Sequence, residues 1–216
     1  MKTKQKNTQE PKRDKQKSMQ KLLHSVGAIL EKDGYKALKA HRIAAHAKLD
    51  KKLIYNYYGS LSGLIDAYLK ENDFWKRTEL ITEQSPLTDL PAETVIEILK
   101  GQFTFLEHSP EMQHIILWEL SEKNPLLQDI LGERERFGEQ LFKLSDKYFK
   151  GSSVNFRAVN ALLVSAIYYI TLHSRYHNNT ICGIDATAKK GREQIFKAIE
   201  QIIRWCYREA EGSRNA

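Results

Sequence analysis

The chain has 216 residues, 41% of them hydrophobic and 28% charged, a composition of globular proteins rather than of disordered or fibrous ones. Its longest apolar stretch, residues 161–172, contains Ser165 and Thr171 and is shorter than the roughly 18 to 20 apolar residues of a membrane span, so no membrane partner is expected. The first thirty residues lack the apolar segment of a signal peptide, which predicts a cytoplasmic protein with Cys182 and Cys206 as reduced thiols.

The net charge of +7 is unevenly distributed. Residues 1–70 carry 16 Lys or Arg against 6 Asp or Glu, whereas the remainder carries 18 against 21. A basic end on a mildly acidic body predicts contact with a polyanion. A solubilising tail is the alternative, because residues 1–16 are rich in Lys, Gln and Thr without apolar periodicity, and we expect them to form a disordered basic arm.

Four helices are predicted in the next part of the chain. Apolar residues at spacings of three and four predict the first, which ends at Asp33 because Gly34 suits a helix C-cap. Short helices follow at about 40–47 and 51–58, and Ser60 can cap a fourth helix. The apolar residues that carry the first and fourth helices are Met19, Leu22, Leu23, Val26, Ile29 and Leu30, and Leu64, Ile65, Tyr68 and Leu69.

Two short helices joined by a three-residue turn are typical of a helix-turn-helix unit. Asp50 can accept from the free backbone amides at the start of the second helix, and Leu49 and Ile54 can pack across that start as a hydrophobic staple. Ile54 and Tyr58 then share the face that packs inward, which leaves a cationic, amide-bearing and aromatic face outside. Such a face suits the major groove of DNA.

Lys51 and Lys52 have a plainer explanation as the solvated start of an ordinary helical hairpin. Cations at a helix N-terminus oppose the helix dipole, so two lysines there favour a nearby anion such as a phosphate. Local chemistry by itself leaves the two explanations open.

The remainder of the chain is punctuated by proline, glycine and asparagine and has no alternating pattern of a strand. The sequence therefore predicts an all-α fold of about nine helices, with an N-terminal helix-turn-helix domain over 17–72 and a C-terminal helical domain over 73–216. A break is expected near residue 80. The predicted C-terminal helices are 92–107, 111–122, 125–149, 154–176 and 185–209.

Residues 34–69, with the sequence GYKALKAHRIAAHAKLDKKLIYNYYGSLSGLIDAYL, resemble the DNA-binding domain of the TetR family of transcriptional regulators. The positions that carry the resemblance are Gly34-Tyr35, Ile43-Ala44 with Ala47, Ile54-Tyr55 with Tyr58, and Ser60. Three positions depart from the family pattern. Lys48 stands where the family usually has the turn glycine, and Leu61 replaces a lysine that commonly contacts a phosphate. Leu38 or Lys39 occupies the place of a frequent helix-capping Thr or Ser.

The resemblance implies a sequence-specific DNA-binding regulator. It implies a homodimeric repressor that binds a palindromic operator and leaves it when a small-molecule effector binds. It implies that the two helices 154–176 and 185–209 form the dimer. It places His41, Lys51, Lys52 and Leu53 at base edges, and Tyr55, Asn56 and Tyr57 at the DNA backbone or groove wall.

The effector pocket expected from the resemblance lies between the central helices. Candidate lining residues are Phe103, Leu106, Trp118, Phe137, Tyr168 and Tyr169. Aromatic residues at helical spacing more commonly form the core, so a core role is the alternative for all six.

Neither a cofactor nor a metal is predicted. His173 and His177 have a spacing that can bind a cation, but no third ligand and no HExxH motif accompany them. The absence of a glycine-rich phosphate loop and of a nucleophile elbow argues against an enzyme, although a small all-α enzyme stays an alternative. A second alternative is a DNA-binding scaffold without a small-molecule ligand.

Overall fold

The computed structural model describes residues 10–72, 89–177 and 179–214. Within these ranges the chain forms nine α-helices and a short 3-10 helix at Tyr35–Ala37, and the one β-type pairing is an isolated bridge between Ile181 and Ile184. The predicted all-α fold is confirmed. The helices are α1 (Glu10–Asp33), α2 (Ala40–Ala47), α3 (Lys52–Tyr58), α4 (Leu61–Asn72), α5 (Ala92–Glu107), α6 (Pro110–Ser121), α7 (Pro125–Phe149), α8 (Phe156–His177) and α9 (Lys189–Arg214).

Local signals determine most helix ends. Helices α6 and α7 begin at prolines, whose missing N–H costs nothing in the first turn of a helix. The side chain of Asn124 accepts a hydrogen bond of 3.0 Å from the backbone N–H of Leu126 and thereby caps α7. The bounds predicted for α5 and α7 agree with the structure to the residue, and α9 begins four residues later than predicted.

Helix α1 begins earlier than the sequence pattern predicts. Its first turns are formed by residues 10–16, which we expect from composition to be part of a disordered arm. The correction has a physical cause, since Glu, Lys, Gln and Arg are strong helix formers even where no apolar face is present. Residues 1–9, and the break expected near residue 80, lie outside the described residues.

The N-terminal helices contribute the first part of one continuous core. Leu22, Val26 and Leu30 of α1 are fully buried, as are Ile43 of α2 and Ile54 of α3. Helix α1 packs against α2 and α4, and α3 packs against α4. The small α2–α3 unit is therefore held by α1 and α4 rather than by its own short helices, which are too short to be stable alone.

The C-terminal helices form the second part of the core. Helix α5 packs against α6, α8 and α9, and its Phe103 is almost completely buried edge-on against Phe196. Ile115, Ile167 and Ile203 contribute fully buried side chains from α6, α8 and α9. The burial of one face of each helix is what the predicted apolar spacing requires.

Helix α8 is the one described helix that is long and apolar enough to cross a membrane by length and composition, and 33% of that stretch is buried inside the protein. Core helices of water-soluble proteins meet the same criteria. Its outer side exposes Leu162 and Tyr169, whose side chains are 72% and 61% accessible. The apolar character of α8 therefore exceeds what packing within one chain uses.

Candidate nucleic-acid interface

The turn between α2 and α3 is fixed by one left-handed residue and two hydrogen bonds. Lys48 adopts the left-handed conformation, with φ 55° and ψ 44°, so the backbone geometry of the usual turn glycine is present although the glycine is not. The N–H of Leu49 donates to the carbonyl of Ala44 at 3.0 Å. The carboxylate of Asp50 accepts from the N–H of Lys52 at 2.7 Å, as the predicted cap requires. The direction in which α3 leaves the turn is therefore set locally.

One side of α3 is anchored on the rest of the domain. Ile54 is fully buried, and the hydroxyl of Tyr58 donates a hydrogen bond of 3.1 Å to the backbone carbonyl of Met19 on α1. Burial, with a smaller contribution from Glu71, raises the pKa of the Tyr58 phenol above its ordinary value, so it stays a donor at neutral pH. The predicted inner face of α3 is confirmed at both residues.

The opposite side of α3 faces solvent. The seven residues predicted to contact DNA lie on α2, on α3 or in the turn between them: His41, Lys51, Lys52, Tyr55 and Asn56 are exposed, and Leu53 and Tyr57 are half-buried. Their side chains form no hydrogen bond or ion pair with any other part of the chain that the structure describes. Two ammonium groups, an amide and the Tyr55 ring are thus presented together without an intramolecular hydrogen bond or ion pair.

Helix α2 is fastened to α1 through a histidine and a serine. The Oγ of Ser25 donates to the carbonyl of Lys21 at 2.7 Å and lies 2.9 Å from Nδ1 of His46. A hydroxyl has one hydrogen, which the carbonyl takes, so Nδ1 of His46 must be the donor in the second bond. This pair keeps α2 in register with α1 and therefore keeps α3 in place.

A cavity of about 410 Å³ lies between α5, α7 and α8 in the C-terminal part of the chain. Its wall is mainly aliphatic and aromatic, with side chains such as Val95, Leu99, Phe142, Phe156 and Val164. A cavity of this size and lining suits a small apolar molecule.

Two arginines among the lining residues are neutralised by carboxylates. The guanidinium of Arg134, which is largely buried, donates to both carboxylate oxygens of Glu119, at 2.8 and 3.0 Å. Arg157 lies 5.0 Å from the centre of the Phe142 ring and joins α8 to α7 by ion pairs with Glu139, at 2.6 Å, and Asp146. Hydrogen bonds from Arg157 hold the pKa of both carboxyl groups below their ordinary values.

Structures of known proteins share this arrangement. A TetR family transcription regulator from Marinobacter aquaeolei VT8 matches with a TM-score of 0.63 and 18% identity, over 88% of this chain and 97% of that one. NalD of Pseudomonas aeruginosa, the secondary repressor of the MexAB-OprM multidrug efflux pump, matches with a TM-score of 0.60 and 14% identity, over 87% and 96% of the two chains. This chain has the TetR fold.

A further TetR family protein, a regulator from Vibrio parahaemolyticus, matches with a TM-score of 0.54 and 12% identity, over 86% of this chain and 97% of that one. No protein-family model and no curated protein sequence matches the chain. The resemblance to the TetR family, first visible in residues 34–69, is therefore confirmed at the level of the fold.

Of the six residues predicted to line an effector pocket, one lines the cavity between α5, α7 and α8. Tyr168 lines the cavity between α5, α7 and α8, whereas Tyr169, its neighbour on α8, points to solvent. Phe103 is buried in the core against Phe196, and Trp118 stacks on Tyr35 with ring centres 5.1 Å apart. Leu106 and Phe137 are buried and are not among the lining residues of this cavity.

The stack of Tyr35 on Trp118 joins the two parts of the TetR fold. The rings are nearly parallel, at 7°, and the Tyr35 hydroxyl lies 3.0 Å from Oγ of Ser121. Gly34, at φ 72°, packs closely here, since a Cβ on it would lie 3.2 Å from Nδ1 of His114. A shift of α6 would therefore change the packing at the end of α1, close to the start of α2.

Lys15 is a candidate that the sequence pattern does not identify. Its Nζ lies 5.5 Å from the centre of the Tyr57 ring, which links α1 to α3 by a cation–π contact. Lys15, Lys17 and Lys21 are all exposed on α1. Helix propensity over residues 10–17 is the signal that would have placed them next to α3, whereas apolar periodicity carries no information there.

Proposed function

We propose that this chain is a sequence-specific DNA-binding transcriptional regulator. The observation that carries the proposal is the outer face of α3, where Lys51, Lys52 and Asn56 are exposed and unpartnered next to a firmly anchored inner face. A helix that is fixed on one side and offers donors on the other can read base edges in a major groove. The likeness to TetR family transcription regulators supports the same function.

The individual contacts follow from the chemistry of each side chain. A lysine at position 51 or 52 can donate to O6 or N7 of guanine, and Leu53 can pack on the methyl group of thymine. His41, at the start of α2, is placed beside the same surface, and Tyr55, Asn56 and Tyr57 can reach phosphates or the groove wall.

The proposed active form is a homodimer on a palindromic operator, because one helix-turn-helix unit reads only half of a site. The exposed apolar residues of α8 and α9 support these two helices as the interface. Leu162 and Tyr169 of α8 and Trp205 of α9 are 72%, 61% and 51% accessible in the single chain. Helices α8 and α9 both pack on α5, and large apolar side chains so exposed are typical of a protein–protein interface.

The cavity between α5, α7 and α8 is the proposed effector site. With both arginines paired to carboxylates, its wall favours an apolar small molecule over a strongly anionic one. Its contact to the DNA-facing helices runs through the packing of α4 on α7 and through the stack of Tyr35 on Trp118. We propose that the effector releases a repressor from DNA and that the protein acts in the cytoplasm as a regulator rather than as an enzyme.

Selection of bound duplexes from a random DNA pool tests the proposed reading function. We expect an enriched inverted repeat whose half-sites are one helical turn, or a multiple of it, apart. Enrichment of a single half-site would contradict the dimer, and recovery of unselected sequences would contradict sequence-specific reading.

A thermal-shift screen of small apolar molecules tests the effector site, since a ligand of the native state raises the melting temperature. We expect the shift to vanish in Ala161→Phe, which fills the cavity, and to persist in Ala188→Phe, an exposed position outside it. If no compound both shifts the wild-type melting temperature and releases DNA, a DNA-binding scaffold without a ligand becomes the better account.

A further inference from the structure

Two imidazole rings lie side by side near the C-terminal end of α8, and neither lines the cavity between α5, α7 and α8. His173 and His177 are four residues apart, which places them on the same face of the helix. Their ring centres are 4.9 Å apart and the ring planes are inclined by 39°. This pair is part of neither the proposed DNA interface nor the proposed effector site, and it borders the proposed dimer face, because the ring of His173 lies 5.7 Å from that of Tyr169.

One nitrogen of the pair lacks a partner. The Nδ1 atom of His173 is buried and has no hydrogen-bond partner among the residues that the structure describes. Buried polar atoms are almost always paired with protein, water or an ion, so a bound ion is one partner that this nitrogen can take. His177 is exposed, which gives such a partner access from solvent.

The position and the donor type together define which partner fits. The C-terminal turn of a helix carries free carbonyl groups and the negative end of the helix dipole, and both favour a cation. Imidazole nitrogens are preferred ligands of late first-row transition metals, whereas Mg²⁺ and Ca²⁺ prefer oxygen. Two nitrogens bound to Zn²⁺ at 2.0–2.1 Å are roughly 3 Å apart, which rings at this separation reach by small side-chain rotations.

We propose that His173 and His177 chelate one divalent transition-metal ion per chain, from the class of Cu²⁺, Ni²⁺ and Zn²⁺. No third His, Cys, Asp or Glu joins them within the described residues, so water completes the coordination. The second histidine pair of the chain is less suited, because the rings of His24 and His46 are 6.5 Å apart and Nδ1 of His46 already donates to Ser25. The proposal does not depend on DNA binding.

The test is a titration of the full-length chain, free of any polyhistidine tag, with Zn²⁺ and with Cu²⁺ alone, followed by calorimetry. We expect one ion per chain, tighter binding of Cu²⁺ than of Zn²⁺, and no binding of Mg²⁺. His173→Ala and His177→Ala should each weaken binding by roughly tenfold or more, whereas the matched control His108→Ala should not. His108 is exposed, and its Nδ1 donates to the carbonyl of Thr104 and lies 3.9 Å from a carboxylate oxygen of Glu107.

The electron paramagnetic resonance spectrum of the Cu²⁺ complex reports the ligands directly. Coupling to two imidazole nitrogens is expected in the wild-type chain and to one in each single variant. Circular dichroism confirms that the variants keep their helices, which is expected because His177 is exposed and alanine favours helix. Absence of metal uptake, equal affinity of His177→Ala and wild type, or a loss that follows His108→Ala would each overturn the proposal.

Discussion

Asp50 is the residue that most directly determines where α3 begins. Its carboxylate accepts from the N–H of Lys52 at 2.7 Å, and the preceding Lys48 is held in the left-handed conformation. Both residues are exposed, so they contribute through backbone geometry rather than through burial. The direction of α3, the helix proposed to read DNA, is therefore set by two residues that need not touch DNA.

Replacing Asp50 with alanine removes the acceptor and should lower the free energy of unfolding by about 0.5–2 kcal/mol. Asp50→Asn keeps an acceptor of the same size and should stay close to wild type. Urea denaturation of both variants measures the difference. If asparagine were as harmful as alanine, the hydrogen bond to Lys52 would not be the stabilising contact.

Lys48→Gly should raise the free energy of unfolding by about 0.5–1 kcal/mol, because glycine adopts φ 55° without the steric cost that a Cβ carries. The matched control is Ala45→Gly in the right-handed helix one turn earlier, which should lower it by about 1 kcal/mol. A destabilised Lys48→Gly would mean that this lysine side chain makes a contribution beyond the backbone conformation.

Among the elements, α1 differs most from its sequence-based prediction. Helix ends marked by Pro110, Asn124 and Gly34 can be predicted because capping and φ preferences act within a few residues. Residues 10–16 carry no apolar stripe, and although Pro11 suits a first helical turn, their helix was missed. The earlier start brings Lys15 to Tyr57, which makes α1 part of the surface proposed to face DNA.

Deleting residues 1–16 removes six lysine and arginine residues and should flatten the salt dependence of DNA binding. The slope of log affinity against log salt concentration should fall by about 0.9 for each phosphate contact that is lost. Fluorescence anisotropy over a salt series measures both slopes. The same slope in the truncated and the full chain would show that this segment does not contact the phosphates.

Helix α8 shows why the lining of a pocket is harder to predict from sequence than the helices themselves. Apolar spacing indicates that one face is buried, but it does not indicate which neighbour covers each position. Tyr168 and Tyr169 are about 100° apart around the helix axis, so one lines the cavity and the other faces solvent. Pocket lining depends on packing between distant helices, which local patterns do not contain.

Two chains are needed to read both halves of a palindromic operator. Leu162→Glu places a charge in the exposed apolar face of α8 and should convert the dimer into monomer, with a corresponding loss of operator affinity. Leu120→Glu is the matched control, since Leu120 is equally exposed, at 74%, but lies at the end of α6. Analytical ultracentrifugation distinguishes the two states. A Leu162→Glu chain that stays dimeric would move the interface elsewhere.

A comparison of binding to two duplexes tests whether the outer face of α3 reads DNA sequence. Fluorescence anisotropy compares the palindromic duplex nearest the protein's own coding region, or the selected operator, with a scrambled duplex, for wild type, Lys52→Ala and Lys150→Ala. Lys150 is an exposed lysine beyond the end of α7, so both variants lose the same charge.

We expect the wild-type chain to bind the operator tightly. Lys52→Ala should weaken this binding by about tenfold or more, and Lys150→Ala should leave it unchanged. Equal, salt-sensitive binding of operator and scrambled DNA by all three proteins would contradict this expectation, because the basic end would then act only as a nonspecific anchor.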